Sequence, residues 1–174
     1  MLKIALIIGA GLAGAVALII VVGWMLPKSH TVSRSIILHQ PPAKVFALIS
    51  DFASAPAWRP DVRQVEILPT FEGRARFRET GDNGAITMEV VEWNPPRRLI
   101  TRIADSTLPF GGTWTFDLAP AGDGCRLQIT EQGEIYNPVF RFVSRFIIGQ
   151  NRTLQRYLDS LERKLCDKGN RAKL

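Results

Sequence analysis

An uninterrupted apolar segment near the N-terminus constrains this chain more than any other feature. From Ile4 to Leu26 there is no charged residue, and Leu, Ile, Val, Ala and Gly make up nearly all of the segment. As a helix it would reach about 34 Å, enough to cross a hydrocarbon layer of about 30 Å. Trp24 and Lys28 are typical interfacial residues, and Pro27 favours a helix end between them. The segment therefore predicts a single-pass membrane anchor.

A cleaved signal peptide is the alternative interpretation of this segment. Its apolar region would span only about 7–15 residues and end in a small-x-small cleavage site, which favours a retained anchor here. The flanking charges, Lys3 on one side and Lys28 and Arg34 on the other, are nearly balanced. A short N-terminal tail commonly stays inside, so we expect a bacterial inner-membrane protein whose domain lies outside.

The remaining sequence fits one domain of ordinary size. With 174 residues in all, we expect an anchor and short linker over residues 1–30, one domain over 31–166 and a basic tail over 167–174. A domain of that size can bury a sufficient core without a metal or a disulfide. Cys125 and Cys166 are widely separated and match no metal-ligand spacing.

Period-two alternation dominates the middle of the chain and predicts an antiparallel sheet. Thr31–Leu38 forms a first strand, and a short helix over Ala43–Ser50 and a further helical turn near Pro56 follow it. Turn residues such as Asn94-Pro95-Pro96 separate the later strands, so neighbours should be antiparallel. The six later strands are predicted at Val62–Leu68, Arg74–Thr80, Ala85–Trp93, Leu99–Ala104, Gly112–Leu118 and Cys125–Gln132.

The last element is predicted to be one long amphipathic helix. Asn137 can cap it, Pro138 suits its first turn, and apolar residues recur at helical spacing from Val139 to Leu165. A curved antiparallel sheet with this helix across its concave face would bury both apolar surfaces. The fold class is therefore α+β, with seven strands, two short helices and a long C-terminal helix after the anchor.

Three stretches resemble the START-like helix-grip superfamily, specifically its polyketide cyclase/dehydrase and lipid-transport (SRPBCC-type) branch. They are Val32–Phe52, which spans the opening strand and helix, Ala57–Pro60, and Val90–Leu99 in the central hairpin. The resemblance covers about residues 31–165. It implies the helix-grip fold and an apolar cavity between the sheet and the long helix, but the superfamily includes lipid carriers, quinone binders and aromatic cyclases.

The resemblance also implies where ligand-binding residues lie. They belong to the cavity side of the strands and to the last helix. The candidates are Phe77, Glu79, Met88, Trp114, Ile129, Glu131, Val143, Phe146 and Gln150.

Two carboxylates among these candidates have two possible roles. Alternation places Glu79 with Phe77, and Glu131 with Ile129, on the apolar side of their strands. They could fix the polar group of a ligand in an apolar pocket. Alternatively they lie at strand ends beyond the cavity rim, in water, which is the more usual place for charged residues.

The net charge of +6 is concentrated at the C-terminal end. Residues 137–174 hold nine Lys/Arg and three Asp/Glu. Five arginines recur in steps of four and seven and would form one helical stripe. That stripe is either an ordinary solvated face or a surface that binds anionic lipid headgroups. The five are Arg141, Arg145, Arg152, Arg156 and Arg163.

No motif for catalysis, a cofactor, a metal or nucleic acid is evident. The text pattern GxGxxG at Gly9–Gly14 lies inside the apolar segment, where no strand precedes it, and the domain body is neutral without basic-aromatic interleaving. The leading hypothesis is a membrane-tethered binding module for a lipid, isoprenoid or polyketide-like molecule. The alternatives are a cyclase- or hydrolase-like enzyme that uses Glu79 or Glu131, and a structural or regulatory domain at the membrane surface. The oligomeric state is not indicated.

Overall fold

Seven antiparallel strands form the sheet that the alternating pattern predicts. The computed structural model describes residues 2–82, 84–148 and 152–171. The strand order is β1-β7-β6-β5-β4-β3-β2, so the chain runs as a meander from β2 to β7 and β1 pairs with β7. The strands are β1 Ser29–Leu38, β2 Val62–Phe71, β3 Arg74–Gly81, β4 Gly84–Asn94, β5 Arg98–Ile103, β6 Phe110–Ala121 and β7 Gly124–Ile135. The predicted fold class is confirmed.

Helices precede the sheet and cover its concave face. The N-terminal helix α1 spans Leu2–Met25, α2 spans Pro42–Ser50, and a 3-10 turn follows at Phe52–Ala57. After β7 come α3 at Pro138–Val143, a π-helical turn at Ser144–Ile148, and α4 at Arg152–Arg171. The predicted strand β1 begins two residues earlier than expected, so His30 belongs to the sheet rather than to a linker.

The main core lies between the sheet and α4. Leu154, Leu158, Leu161 and Leu165 follow one another at helical spacing and are all buried. They pack in one cluster with strand residues, among them Ile129, which is fully buried. The α4 helix therefore closes the sheet as the amphipathic pattern predicts.

The C-terminal helix is not continuous, and in this respect the sequence prediction is wrong. Asn137 does cap the first part, since its side-chain oxygen accepts hydrogen bonds from the backbone N–H groups of Val139 and Phe140 at 2.9 and 3.2 Å. The regular α-helix then ends at Val143 and becomes a π-helical turn. Of the C-terminal helical segments that the structure describes, α4 packs on the sheet beside α2, whereas α3 packs mainly against α1.

Arg141 holds α1 and α3 together. Its side chain is buried, and its guanidinium donates four hydrogen bonds of 2.9–3.1 Å to backbone carbonyl oxygens. Two of these oxygens, the carbonyl oxygens of Gly23 and Leu26, lie at the C-terminal end of α1, where a helix leaves carbonyl groups without intrahelical partners. The other two belong to Ile135 and Tyr136. Arg141 thus acts as a C-terminal cap for a distant helix, and a positive charge is favourable there.

The contact between α1 and α3 is close. The α1 residues that lose exposure are Ile19, Val22, Gly23 and Leu26, which share one helical face. Gly23 is buried, and a Cβ atom at this position would overlap the backbone carbonyl of Pro138. The joint therefore depends on a glycine in α1 as well as on Arg141.

Within the described residues, most of α1 is not covered by the domain. Leu6–Met25 has a mean hydropathy of 2.6 and is almost entirely exposed. It is long and apolar enough to cross a membrane, a property that a signal sequence would share.

Replacing Arg141 with Leu should release α1 from the domain. The Gly23 and Leu26 carbonyls would lose their donor, and each hydrogen bond to a charged group contributes about 1.5–3 kcal/mol, so opening of the joint should rise at least about tenfold. Trypsin cleavage after Lys28, whose carbonyl accepts a hydrogen bond from Ile135, should accelerate accordingly. The exposed neighbour provides a control, because Arg145→Leu should leave the rate unchanged. Equal cleavage rates in both variants would contradict this role of Arg141.

Candidate ligand-binding cavity

A cavity of about 530 Å³ lies on the concave side of the sheet. The strands form its floor, while the end of α2, the 3-10 turn, α4 and the start of the α3 segment form its walls. The wall is largely apolar and aromatic, as is usual for a small-molecule site. Its apolar residues include Ile49, Phe52, Phe77, Ile86, Met88, Trp114, Phe116 and Tyr157.

Five of the nine candidates from the sequence line this cavity. They are Phe77, Glu79, Met88, Trp114 and Glu131. The two carboxylates do not lie beyond the rim in water, because only about a fifth of each side chain is exposed. That these residues bind a ligand stays a prediction.

The other four candidates are not in the wall. Ile129 points to the same side but is covered completely by the core. Val143 and Phe146 lie on the segment that turns away from the sheet, and Phe146 is 61% exposed. Gln150 falls outside the residues that the structure describes. These residues do have helical spacing in the sequence. The continuous helix that would bring them over the sheet, however, does not form.

The predicted arginine stripe also loses a member. Arg141 is buried in the joint with α1 and is therefore not available to lipid headgroups. Arg145, Arg156 and Arg163 are exposed, and the side chain of Arg152 falls outside the described residues. A role of the exposed arginines at a membrane surface stays a prediction.

One polar group in the cavity is centred on Arg59. Its guanidinium donates to Glu79 and to Asp61, both at 2.8 Å, and lies over the ring of Tyr157, with Cζ 5.2 Å from the ring centroid. Burial raises the pKa of Glu79, and the positive charge of Arg59 offsets part of that rise. Sequence reasoning missed Arg59, although it lies in the Ala57–Pro60 stretch that carries the family resemblance. Its partner Glu79 is twenty residues away, and only the fold brings them together.

A second polar group lies across the sheet at Glu131. This residue is paired with Trp114 on β6, and its Oε1 is 4.0 Å from Nε2 of His30 on β1. Burial raises the pKa of the Glu131 carboxyl to about 7, and the Trp114 indole opposes that rise. Burial and the charge of Arg145 lower the pKa of His30. Near neutral pH the imidazole is therefore mostly uncharged, and Glu131 is only partly ionised.

Three buried polar atoms in the cavity wall find no hydrogen-bond partner within the described part of the chain. They are Nε1 of Trp58, Nε of Arg59 and Oε2 of Glu131. A buried polar atom without a partner costs about 1–3 kcal/mol, so such atoms are usually satisfied by water or a ligand. Two donors therefore lie at one side of the cavity, and a carboxyl oxygen lies at the other.

Aromatic rings connect these two polar groups. Tyr157 of α4 packs against Trp58, Trp114 and Phe116, with ring centroids 5.3–5.7 Å apart. Glu79 on β3 and Glu131 on β7 are four strands apart, about 19 Å along the sheet at about 4.8 Å per strand. The cavity thus has an aromatic middle and two polar ends.

Residues 29–165 match the family described as polyketide cyclase/dehydrase and lipid transport. The chain belongs to this family. The match spans the sheet, α2, α3 and most of α4, and it excludes the apolar part of α1. Among curated proteins, no sequence matches the chain.

Solved structures with the same fold are distant in sequence. A START superfamily protein from Mycobacterium smegmatis is 19% identical with a TM-score of 0.64, covering 79% of this chain and 98% of its own. The Zhui aromatase/cyclase from Streptomyces sp. R1128 is 13% identical with a TM-score of 0.65, covering 79% and 93%. Norcoclaurine synthase from Thalictrum flavum, in complex with dopamine and hydroxybenzaldehyde, is 10% identical with a TM-score of 0.62, covering 80% and 87%. At such identities the likeness shows the fold alone.

Within the described residues of this family member, no group of three or more His, Cys, Asp or Glu side chains could hold a metal ion. The polar groups described in the cavity are those centred on Arg59 and on Glu131. Ionic binding, hydrogen bonding and proton transfer are the functions these groups can perform.

Glu131 should make the stability of the domain depend on pH. Its pKa rises from 4.5 to about 7 on folding, so its contribution is fully present below pH 4.5 and is lost as the pH rises through 7. Relative to Glu131→Gln, the wild-type protein should lose roughly 3 kcal/mol of unfolding free energy over this interval. Urea unfolding of the full chain in detergent, followed by Trp fluorescence at several pH values, would measure this. Parallel pH curves for the two proteins would show that Glu131 is not buried in this way.

Proposed function

We propose that this protein is a membrane-anchored binding protein for a hydrophobic small molecule, a lipid, isoprenoid or polyketide-like compound. The ligand would lie between the sheet and α4. The observation that carries the proposal is the 530 Å³ cavity, whose aromatic wall contains three buried polar atoms without partners. Family membership supports it, since lipid transport is part of the family's description.

The size and lining of the cavity favour a ligand of moderate size. Its volume falls within the range of about 300–1,000 Å³ that is usual for small-molecule sites. Burial of an apolar ligand contributes about 25 cal/mol per Å² of surface removed from water. Flat, unsaturated ligands would gain further from the rings of Trp114, Phe116 and Tyr157.

The unpaired atoms favour a ligand with polar groups at both ends. Trp58 and Arg59 would donate to an oxygen at one end. At the other end Glu131 could accept a hydrogen bond when ionised and donate one when protonated. A pure hydrocarbon would leave all three atoms unsatisfied, so an oxygenated amphiphile fits better.

The anchor part of the proposal is supported by α1 and by its joint with the domain. A signal sequence would be removed after targeting, whereas the Ile19–Leu26 face of α1 packs on α3 and is capped by Arg141. Removal would expose that surface. We therefore propose that α1 is retained as a single-pass anchor, and we keep the sequence-based expectation of an inner-membrane protein with its domain outside. The intact mass of the protein purified from membranes tests retention, because cleavage would remove the N-terminal residues.

Ligand should leave the protein when the cavity is narrowed. Ile86 lines the cavity on β4, so Ile86→Trp should reduce the amount of ligand extracted from the purified full chain several-fold by loss of volume. The matched control is Ile37→Trp, because Ile37 is an exposed isoleucine on β1. Solvent extraction and mass spectrometry of both variants and the wild type would measure the occupancy.

A wild-type protein that is consistently empty would overturn the binding proposal. Equal occupancy in the Ile86→Trp and Ile37→Trp variants would also contradict it, since the ligand would then lie elsewhere. The unfolding midpoint of each variant separates loss of ligand from loss of folding.

An enzyme is the second candidate, and the environment of Glu131 favours it. General acid–base catalysis is most efficient when the pKa of the catalytic group lies near the working pH, and Glu131 has a pKa of about 7 with a free oxygen in the cavity. Such a group could move a proton during ring closure or dehydration of a bound polyketide-like chain.

The Glu131→Gln variant separates the two candidates. If Glu131 is catalytic, the variant should accumulate a precursor whose mass differs from that of the wild-type ligand. Glu134→Gln, at an exposed position of the cavity rim, should carry the wild-type molecule. Identical ligands in all three proteins would leave binding as the function and exclude Glu131 as a catalytic residue.

A further inference from the structure

A group of apolar side chains is exposed on and around α3. Its members lie on the segment that connects β7 to α4, and each is 37–69% exposed. We call this group the α3 patch. It consists of Tyr136, Val139, Phe140, Phe146 and Ile147.

The α3 patch lies beside the C-terminal end of α1. The α1 face that packs on α3 runs from Ile19 to Leu26, about 10 Å along the helix axis at about 1.5 Å per residue. This is the last part of Leu6–Met25, the segment with the length and hydropathy of a membrane span. If α1 crosses a membrane, α3 must therefore lie at the depth of its final turns.

Apolar exposure continues from α3 onto α1 itself. Trp24 and Met25, in the last turn of α1, are 73% and 82% exposed. Trp is enriched where a membrane helix meets the headgroups. Exposed apolar side chains are therefore present on both helices at this end of α1, and a cluster of them marks a binding surface.

Charged residues also lie near the α3 patch. Arg141 lies on α3, but its guanidinium makes four hydrogen bonds to carbonyl oxygens and does not face the surroundings. Arg145 and Lys28 are exposed and long enough to extend toward phosphate groups. Glu134, an exposed carboxylate, accepts a hydrogen bond from the Tyr136 hydroxyl at 3.1 Å. A cation enclosed by carbonyl groups and exposed cations that can reach the headgroups are both compatible with the edge of a bilayer.

We propose that the α3 patch is embedded in the headgroup and outer acyl region of the membrane that α1 crosses. The bilayer is the occupant of this surface, because α3 packs against the final turns of the helix that would cross it. The inference rests on the anchor part of the proposed function. Phe140 and Ser144 of the same segment also line the cavity, and Phe140 stacks on Phe110 with ring centroids 6.2 Å apart. The mouth of the cavity therefore borders lipid, and the source of its ligand is the bilayer.

A site-directed label would test the depth of the α3 patch. The full chain carrying Cys166→Ser and Ile147→Cys would be labelled with a nitroxide and placed in phosphatidylcholine–phosphatidylglycerol vesicles. Cys125 is buried and can stay, whereas Cys166 is exposed and must be replaced. Ile67→Cys is the matched control, since Ile67 is 60% exposed and lies on β2, about 29 Å along the sheet from β1.

The label at residue 147 should contact lipid. For each label, the accessibility to oxygen is divided by the accessibility to a water-soluble nickel chelate. We expect this ratio at residue 147 to exceed the ratio at residue 67 by about tenfold or more, since polar solutes are strongly excluded from hydrocarbon. Similar ratios at both positions would overturn the inference. Dipolar coupling between labels at residue 147 that grows with protein density would overturn it too, because a second copy would then cover the patch.

The outcome is independent of the cavity proposal. A protein that binds no ligand would leave the label at residue 147 in lipid, and only the binding proposal would fail. A ligand-loaded protein with a water-exposed label would overturn the inference alone. Loss of residues 1–26 in the intact mass would show instead that the anchor is absent.

Discussion

The enclosure of one arginine by backbone carbonyls determines how the parts of this protein are joined. Arg141 donates to the end of α1 and to the end of β7 at the same time, so it connects the apolar helix directly to the sheet. A guanidinium has five N–H donors and no acceptor, so it can satisfy several carbonyls that a helix end leaves without partners. With α3 held against α1, the concave face of the sheet is covered by α4 and α2.

The cavity results from this arrangement, in which α3 packs on α1 and α4 packs on the sheet. A continuous helix would have placed Val143 and Phe146 over the sheet, and their side chains would have filled part of the space beneath. Four leucines of α4 fill one part of the space over the concave face. Aromatic rings and two polar groups line the other part, which is the cavity. Buried polar atoms without partners are costly, so a molecule that pairs with these atoms would stabilise the fold.

The sequence predicts the sheet well, but it predicts the contact between α1 and α3 poorly. Strand alternation and turn residues are local signals, and seven strands and the cavity orientation of Phe77, Glu79 and Glu131 follow from them. Helical periodicity shows which residues share a face but not what that face packs against. It therefore groups Arg141 with four other arginines on one exposed stripe, whereas the side chain of Arg141 is buried. The contacts of Arg59 with Glu79, and of His30 with Glu131, join residues far apart in the chain, which local patterns do not encode.

The missing side chain at Gly23 has a consequence for how the domain moves. Because a Cβ atom at Gly23 would overlap the Pro138 carbonyl, the backbones of α1 and α3 meet without an intervening side chain, and this close contact limits rotation of the helix against the domain. A protein on a flexible tether can take many orientations above its attachment point. With α1 as the proposed anchor, this domain would move mainly by lateral diffusion and by rotation about the membrane normal. Under the proposed function, a sparse apolar ligand would then be found by a search in two dimensions.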